Sequence, residues 1–546
     1  MLWRDIKRFL VGRPLETLQL GTERLNKVVG LAVLSSDALS SVAYATEAML
    51  LVLMAAGAAG TDQALKVGGF ILLLLVIVVA SYRQTVYAYP QGGGAYFVAK
   101  ENLGTTFGLV AAAALLVDYT LTVAVSIAAG VDAITSAFPG LLAHRVALGL
   151  MAIGVIAFGN LRGIRESGTI FSVPTYFFIS MFGLMLVVNI VHPLGYWPGV
   201  ATRGQGALEL VSSWLLLRAF SSGCAALTGV EAVSDGVAAF KSPESRNAAV
   251  TLGWMGVILG SFFAGSTYLA HRYGVVPVGA QTVISQLGHG AFGDSVFYFL
   301  LQFATALILI LAANTSFADF PRLASFLGRD AYLPRQLANR GDRLVFSNGI
   351  LLLALVAGAL LWLFGGDTHA LIPLYAVGVF LSFTLSQAGM VKRLVTRRER
   401  GWVGRATFSA IGAVATGIVL VIELATKFTS GAWITALLVD YTLTVAVATN
   451  PEQVAKLQDD WDMWDSGVPL EVLISPYRSI VRPLLDYIDR VANEEKPDWL
   501  TVVLPEVVPA RWWHNIFHNQ TALAIKAALL FRPNVVVTSV PYHLER

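Results

Sequence analysis

Five carboxylates lie inside long apolar runs, and chemistry can be read from them first. Asp37 sits in SSDALSS, Asp118 in LVDYTLT, Glu231 and Asp235 in LTGVEAVSDG, and Asp440 in a second LLVDYTLT. A charge at the centre of a bilayer costs about 3 kcal/mol on the most forgiving scales, so such residues are functional candidates by default. Tyr44, Tyr119, Thr120, Thr122, Ser126, Thr228 and Tyr375 lie in the same runs. Together they offer carboxylate, hydroxyl and carbonyl oxygens. Hard oxygen ligands of this kind suit alkali and alkaline-earth cations. No Met–His or Cys–His cluster points to a transition metal. Each candidate also has a structural reading. Asp37 could cap the second half of a broken helix, and Asp118 could pair with a buried Tyr or amide. Glu231 is the hardest to explain by packing. Asp235 serves an interfacial or capping role equally well. Cys224 reads as a small packing residue, and His271 and His369 as loop residues.

The elements that must position these groups are helices with interruptions. Polar, Ser-, Thr- and Gly-rich segments 35–41 and 228–236 break the first and sixth apolar runs. Ser and Thr hydroxyls compete for backbone hydrogen bonds. Discontinuous helices at matching positions of two halves point to a midplane site, and unwound backbone is tolerated at that depth only where it lines a cavity.

The composition sets the medium. The 546 residues are 56% apolar and only 13% charged, with a mean hydropathy of +0.66. Soluble domains run near 25% charged, so a large soluble enzyme is excluded, and high apolar content with a net charge of +3 excludes disorder. The same small charge gives no argument for nucleic acid. Twelve runs are long enough to span a bilayer: about 28–56, 68–87, 107–136, 145–160, 171–192, 210–239, 250–274, 295–314, 346–366, 369–391, 405–425 and 430–449. With the N-terminus inside, the inside segments hold 23 Lys and Arg and the outside segments 5. That bias predicts both termini on the cytoplasmic side. Residues 1–27 read as a cytoplasmic amphipathic segment rather than a cleavable signal.

After residue 450 the pattern changes. An acidic linker, 450–470, precedes a strand at 472–474, a helix over 480–491, a strand at 499–504, a helix over 511–531 and a strand at 535–540. This order predicts a small cytoplasmic α/β domain with a parallel sheet over 471–546. Residues 114–125 and 436–447 are the same twelve letters, ALLVDYTLTVAV. Old inverted repeats survive only as weak similarity, so the second copy reads as a recent duplication or an artefact, and Asp440 with it.

Longer motifs make the reading specific. SSDALSSVAYATEA (35–48), YPQGGGAYFVAKENLG (89–104), VDYTLTVAVS (117–126), LLLRAFSSGCAALTGVEAVSDG (215–236), FKSPESRN (240–247), AANTSFADFPRLASFLGRDAYLPRQ (312–336) and LIPLYAVGVFLSF (371–383) resemble the amino acid–polyamine–organocation (APC) superfamily. The chain is most similar to its potassium-importer branch, the KimA-like relatives of the KUP potassium permeases. The resemblance implies an all-α polytopic membrane protein of the LeuT/APC-like fold: 12 TM helices over 28–449, with inverted five-helix repeats and two further helices. It implies potassium/proton symport across the bacterial cytoplasmic (inner) membrane. The family's ion site falls on Asp37, Tyr44, Asp118, Tyr119, Thr122, Ser126, Thr228 and Tyr375, with K+ held at Asp37, Tyr44, Asp118, Tyr119 and Thr228. Glu231, together with Asp118, falls at the proton-coupling position. The resemblance also implies a cytoplasmic domain like the universal stress proteins, which supports a homodimer and binds inhibitory cyclic di-AMP. Residues 476–490, 501–530 and 535–544 match its second half, while its first half is missing where the duplicated segment and acidic linker stand.

Alternating access around the broken helices is the expected mechanism, with no enzymatic step. A carrier of cationic amines on the same fold stays open. An amino acid carrier is disfavoured, because Asp37 would repel a substrate carboxylate at the break. A nucleotide-reading membrane sensor is the reading from another class.

Overall fold

The computed structural model describes residues 24–92, 94–162, 168–191, 210–277, 281–330, 332–338, 345–398, 401–427, 500–507 and 535–542. The chain divides into two compact units, residues 1–327 with 337–444 and residues 328–336 with 445–546.

The first unit is helical. Its opening helices are α1 (Lys27–Leu34), α2 (Ser36–Ser40) and α3 (Val42–Leu53), followed by α4 (Ala64–Ala88), α5 (Ala95–Leu103), α6 (Thr105–Ala137), α7 (Arg145–Leu161) and α8 (Gly168–Val191). Next come α9 (Ser213–Gly223), α10 (Ala232–Asp235), α11 (Glu244–Tyr273), α12 (Val283–Phe292) and α13 (Val296–Arg329). The last are α14 (Ser347–Leu363), α15 (Thr368–Leu371), α16 (Val377–Arg397) and α17 (Trp402–Lys427). Among the described residues nine helices are long and apolar enough to cross a bilayer. A helix is the element that satisfies its own backbone in lipid, so runs of Leu, Val, Ile and Ala become helices here. This is an integral membrane protein.

Burial separates core helices from peripheral ones. Of the most apolar stretch of α6, 94% is buried, against 22% for the span ending in α7 and 28% for α17. The sequence of α6 explains its place. AAAALLVDYTLTVAVSIAAG keeps small residues on every face, so neighbours can close in all round. In contrast α7 and α17 turn Met151, Val155, Val414, Ile418 and Val421 outward, as suits helices facing lipid tails.

The first and sixth apolar runs are broken where the sequence predicts, each a chain of short pieces, α1 to α3 and α9 to α10. Two other expectations change in detail. The run expected to end at 314 continues as helix to Arg329. His271 and His369 are not loop residues; they lie in the last turn of α11 and in α15. At one end of the bundle Leu25 pairs with Phe240, its N–H donating to the Ala239 carbonyl at 2.7 Å and its carbonyl accepting from Lys241 N at 2.8 Å. Arg24 forms an ion pair with Glu244 beside it. The expected span 430–449 and the second ALLVDYTLTVAV lie outside the described residues.

In the second unit β1 (Leu500–Val507) and β2 (Val535–Tyr542) pair in parallel, from Leu500 opposite Val535 to Val507 opposite Tyr542. Both strands fall where the sequence places them, at 499–504 and 535–540, and run three and two residues further. The linker 450–470, the strand expected at 472–474 and the two helices expected around β1 lie outside the described residues. The motif matches for a nucleotide site and a dimer contact lie outside them as well, apart from the two strands.

Candidate functional site

The first break is built by serine. Asn26 caps α1, its side chain accepting from Val29 N at 2.9 Å. At Ser35 the backbone leaves the helical region (φ −111°, ψ 2°). Ser40 Oγ then donates to the Asp37 carbonyl at 2.8 Å and Ser41 Oγ to the Ala38 carbonyl at 2.7 Å. These hydroxyls take acceptors that a continuous helix would use. The result is a buried turn with Asp37 in it.

The second break lies directly against the first. After α9 a tight turn, Cys224–Leu227, leads into extended backbone at Thr228 (φ −64°, ψ 148°) and a left-handed Gly229 (φ 76°). A Cβ on Gly229 would stand 2.6 Å from Asp37 Oδ2 and 2.8 Å from Ala38 N. Only glycine combines that φ with that approach. Ser41 Oγ also reaches the Ala226 carbonyl, 3.1 Å away, which joins the two breaks. Cys224 is buried in the turn, as a packing role requires.

The structure shows a third break that periodicity missed. Between α15 and α16, Pro373 sits in a tight turn, Tyr375 is extended and Ala376 holds φ at 79°. A positive φ on a non-glycine residue is a strained conformation of the kind that clusters at functional sites. The sequence signal was Pro373 inside an apolar run. Beside this break Gly378 lets α16 meet α6, since a Cβ there would lie 2.6 Å from the Ala114 carbonyl and 3.3 Å from Asp118 Cβ. Thr122 Oγ1 donates to Tyr375 OH at 3.1 Å. Tyr44 packs within reach of both Thr228 and Tyr375.

The sequence-derived residues therefore converge. Asp37, Tyr44, Asp118, Tyr119, Thr122, Ser126, Thr228, Glu231 and Tyr375 are all buried, none more than 9% exposed. The carboxylates form a ladder whose neighbours sense each other's charge: Asp37 with Asp118, Asp118 with Glu231, Glu231 with Asp235, and Asp235 with Asp319. Among the described residues Asp37 Oδ1, Asp118 Oδ1, Glu231 Oε2 and Ser126 Oγ have no hydrogen-bonding partner. Buried polar atoms of this kind are normally paired, so the oxygens fit a ligand that accepts their lone pairs.

Asp235 belongs to this ladder rather than to a mere cap. Tyr119 OH donates to Asp235 Oδ2 at 3.4 Å, and Arg322 Nη2 donates to the Asp235 carbonyl at 3.0 Å. Asp319 and Arg322 were not singled out in the sequence. Their signal was a charged pair at i, i+3 inside SFADFPRLAS; Arg322 Nη1 stands 3.9 Å from Asp319 Oδ1. A cavity of about 300 Å³ opens here, lined by Tyr119, Asp235, Asp319, Arg322, Glu101 and Tyr89 among others. It meets the ladder at Asp235 and Asp319. Asp440 lies outside the described residues.

Comparison with known proteins agrees with this architecture. A family model described as "Amino acid permease" matches residues 29–446, and one described as "KimA potassium transporter C-terminal domain" matches residues 414–542. "Potassium transporter KimA" of Bacillus subtilis (strain 168) is 40% identical, with all of this chain and all of that protein covered. The alignment runs over 611 positions against 546 residues here, so this chain carries gaps within it. The chain belongs to the KimA family of transporters, built on the amino acid permease architecture, and is not an enzyme.

Proposed function

We propose that this protein is a secondary active potassium importer that carries a proton with each cycle. The observation that supports this most is the set of buried carboxylates, Asp37, Asp118 and Glu231, beside broken helices and with free oxygens. Each buried anion costs several kcal/mol unless paired or neutralised. A dehydrated monovalent cation and a proton are the two species that relieve that cost, and relieving it in turn is a coupling device. Potassium is the substrate. Oxygens of Asp37, Tyr44, Asp118, Tyr119 and Thr228 replace its hydration shell, while Thr122, Ser126 and Tyr375 complete the wall. Glu231 takes the proton, with Asp118 as its electrostatic partner.

The basic-residue bias supports an orientation with both termini in the cytoplasm of a bacterium. The cavity at Asp235 then opens inward. Breaks in the first and sixth runs, five apart, support a fold of inverted five-helix repeats with twelve spans. The missing first-half motifs and the match of the KimA C-terminal family model over 414–542 support a shortened cytoplasmic domain over 471–546, related to nucleotide-reading, dimer-forming domains. A membrane potential adds about 2.3 kcal/mol per charge per 100 mV to cation entry.

The test is tracer uptake into proteoliposomes. Rubidium should enter against its gradient when the outside is acid, and labelled polyamines or amino acids should not. Uptake of an amine without rubidium would move the function to the rival class. A strain lacking potassium importers, rescued on limiting potassium by the wild type but not by Asp37→Asn, gives the same answer in cells.

A further inference from the structure

At the far end of the bundle from Asp235 lies a second cluster that the import reading does not use. Glu47 is on α3, one turn beyond Tyr44, and its side chain is only 7% exposed. It joins three elements. Glu47 Oε2 accepts from Val283 N at 2.8 Å, at the start of α12. Glu47 Oε1 stands 3.1 Å from His369 Nε2, at the start of α15.

The surroundings of His369 are fixed to the rest of the bundle. Asp367 Oδ1 accepts from His369 N at 2.9 Å, and Arg145 of α7 stands 3.8 Å from the other Asp367 oxygen. Thr368 Oγ1 donates to Asp132 Oδ2 of α6 at 2.6 Å. So α15 is tied to α6 and α7, and among the described residues Glu47 supplies the polar contacts between α3 and this wall. The charged groups facing His369 are Glu47 on α3, Asp132 on α6 and Asp367 on its own element, with Arg145 behind Asp367. The imidazole is 34% exposed while Glu47 is shielded. Water therefore reaches the pair through the histidine.

We propose that the Glu47–His369 pair is the outer latch of the transport cycle, and that extracellular protons act on it through His369. The proposal rests on the import reading and its orientation. To admit an ion past Tyr44 from this side, α3 must leave α12 and α15, and both Glu47 contacts must break. A hydrogen bond between imidazolium and carboxylate is roughly twice as strong as a neutral one. Protonation of His369 tightens the latch and its loss loosens it. An external proton on His369, separate from the one carried on Glu231, thus closes the outer door, which favours opening on the other side. Glu47 and His369 are positioning residues that touch each other, not the ion.

The test reads opening directly. Cys224→Ser removes the native thiol, and Ala133→Cys places a new one beside Asp132, at a position 2% exposed in the latched form. Labelling by a membrane-impermeant thiol reagent is followed in sealed vesicles at fixed internal pH. The rate should fall severalfold as external pH drops from about 8 to about 5.5, across the range where histidine titrates. His369→Gln should label fast at every pH. His369→Arg, a permanent cation, should label slowly at every pH. Equal labelling of the Gln and Arg variants, whether fast, slow or absent, overturns the latch. Rubidium uptake by the wild-type chain is scored separately. Uptake with equal labelling sinks the latch alone, and no uptake sinks the import reading itself.

Discussion

The carboxylate of Asp37 occupies the space that a side chain on Gly229 would fill, 2.6 Å from the Cβ position. Two breaks from different halves of the first unit thus share one point. Gly229→Ala must both strain a φ of 76° and push Asp37 aside. The strain alone is about 1 kcal/mol. We expect the variant to fold, as read by a single symmetric peak in size-exclusion chromatography, and to lose most rubidium uptake. Normal uptake would show that the contact is dispensable.

Asp118→Asn and Glu231→Gln remove charge without removing volume. Both should unfold at a higher temperature in detergent, because a buried amide avoids the cost of a buried anion. Asp118→Asn should weaken apparent potassium affinity by about tenfold, or about 1.4 kcal/mol. Glu231→Gln should transport without dependence on external pH, or not at all. A wild-type pH profile in Glu231→Gln vesicles would remove that residue from the proton's path.

Thr122 and Tyr375 test whether the third break belongs to the site. Their hydroxyls meet at 3.1 Å across α6 and the Tyr375 turn. Thr122→Val and Tyr375→Phe should each raise the half-saturating potassium concentration. The double variant should be less than additive by about 0.5–1.5 kcal/mol, the worth of one buried hydrogen bond. Strict additivity would separate the two groups.

Much of this was legible beforehand because polar residues in lipid-depth sequence are expensive. The serines of 35–41, the Gly229 region and the carboxylates all stood out against apolar background. What stayed hidden depends on partners. Glu47, in VAYATEAML, reads as the polar end of a span until His369 and Val283, more than two hundred residues away, are brought to it. Ala376 gives no local sign of its left-handed backbone, since alanine is the strongest helix former. Asp319 and Arg322 drew no notice because the run's hydropathy fades before the helix does.

Potassium should also stabilise the folded protein. A ligand that binds only the native state adds about 2.7 kcal/mol at a hundred times its dissociation constant. Thermal unfolding in detergent should shift upward with potassium or rubidium, and less with choline or spermidine. The shift should vanish in Asp37→Asn. An equal shift with spermidine would favour the amine carrier.

One pair tests fold rather than transport. Lys427 Nζ lies 2.7 Å from Glu423 Oε2 on α17, both side chains buried, and reaches the Ser221 carbonyl of α9 at 3.3 Å. Lys427→Met alone leaves Glu423 buried and unpaired, and should cost about 3–5 kcal/mol. Adding Glu423→Leu should recover most of the loss. If the double variant unfolds as early as the single one, lost packing rather than stranded charge is the cause.

The hydroxyl of Ser41 touches carbonyls on both interrupted segments, at Ala38 and at Ala226. Such a pin makes the two hinges turn about a common axle. Rocking of either arm then drags its counterpart, so half-open intermediates with only one arm displaced should be scarce.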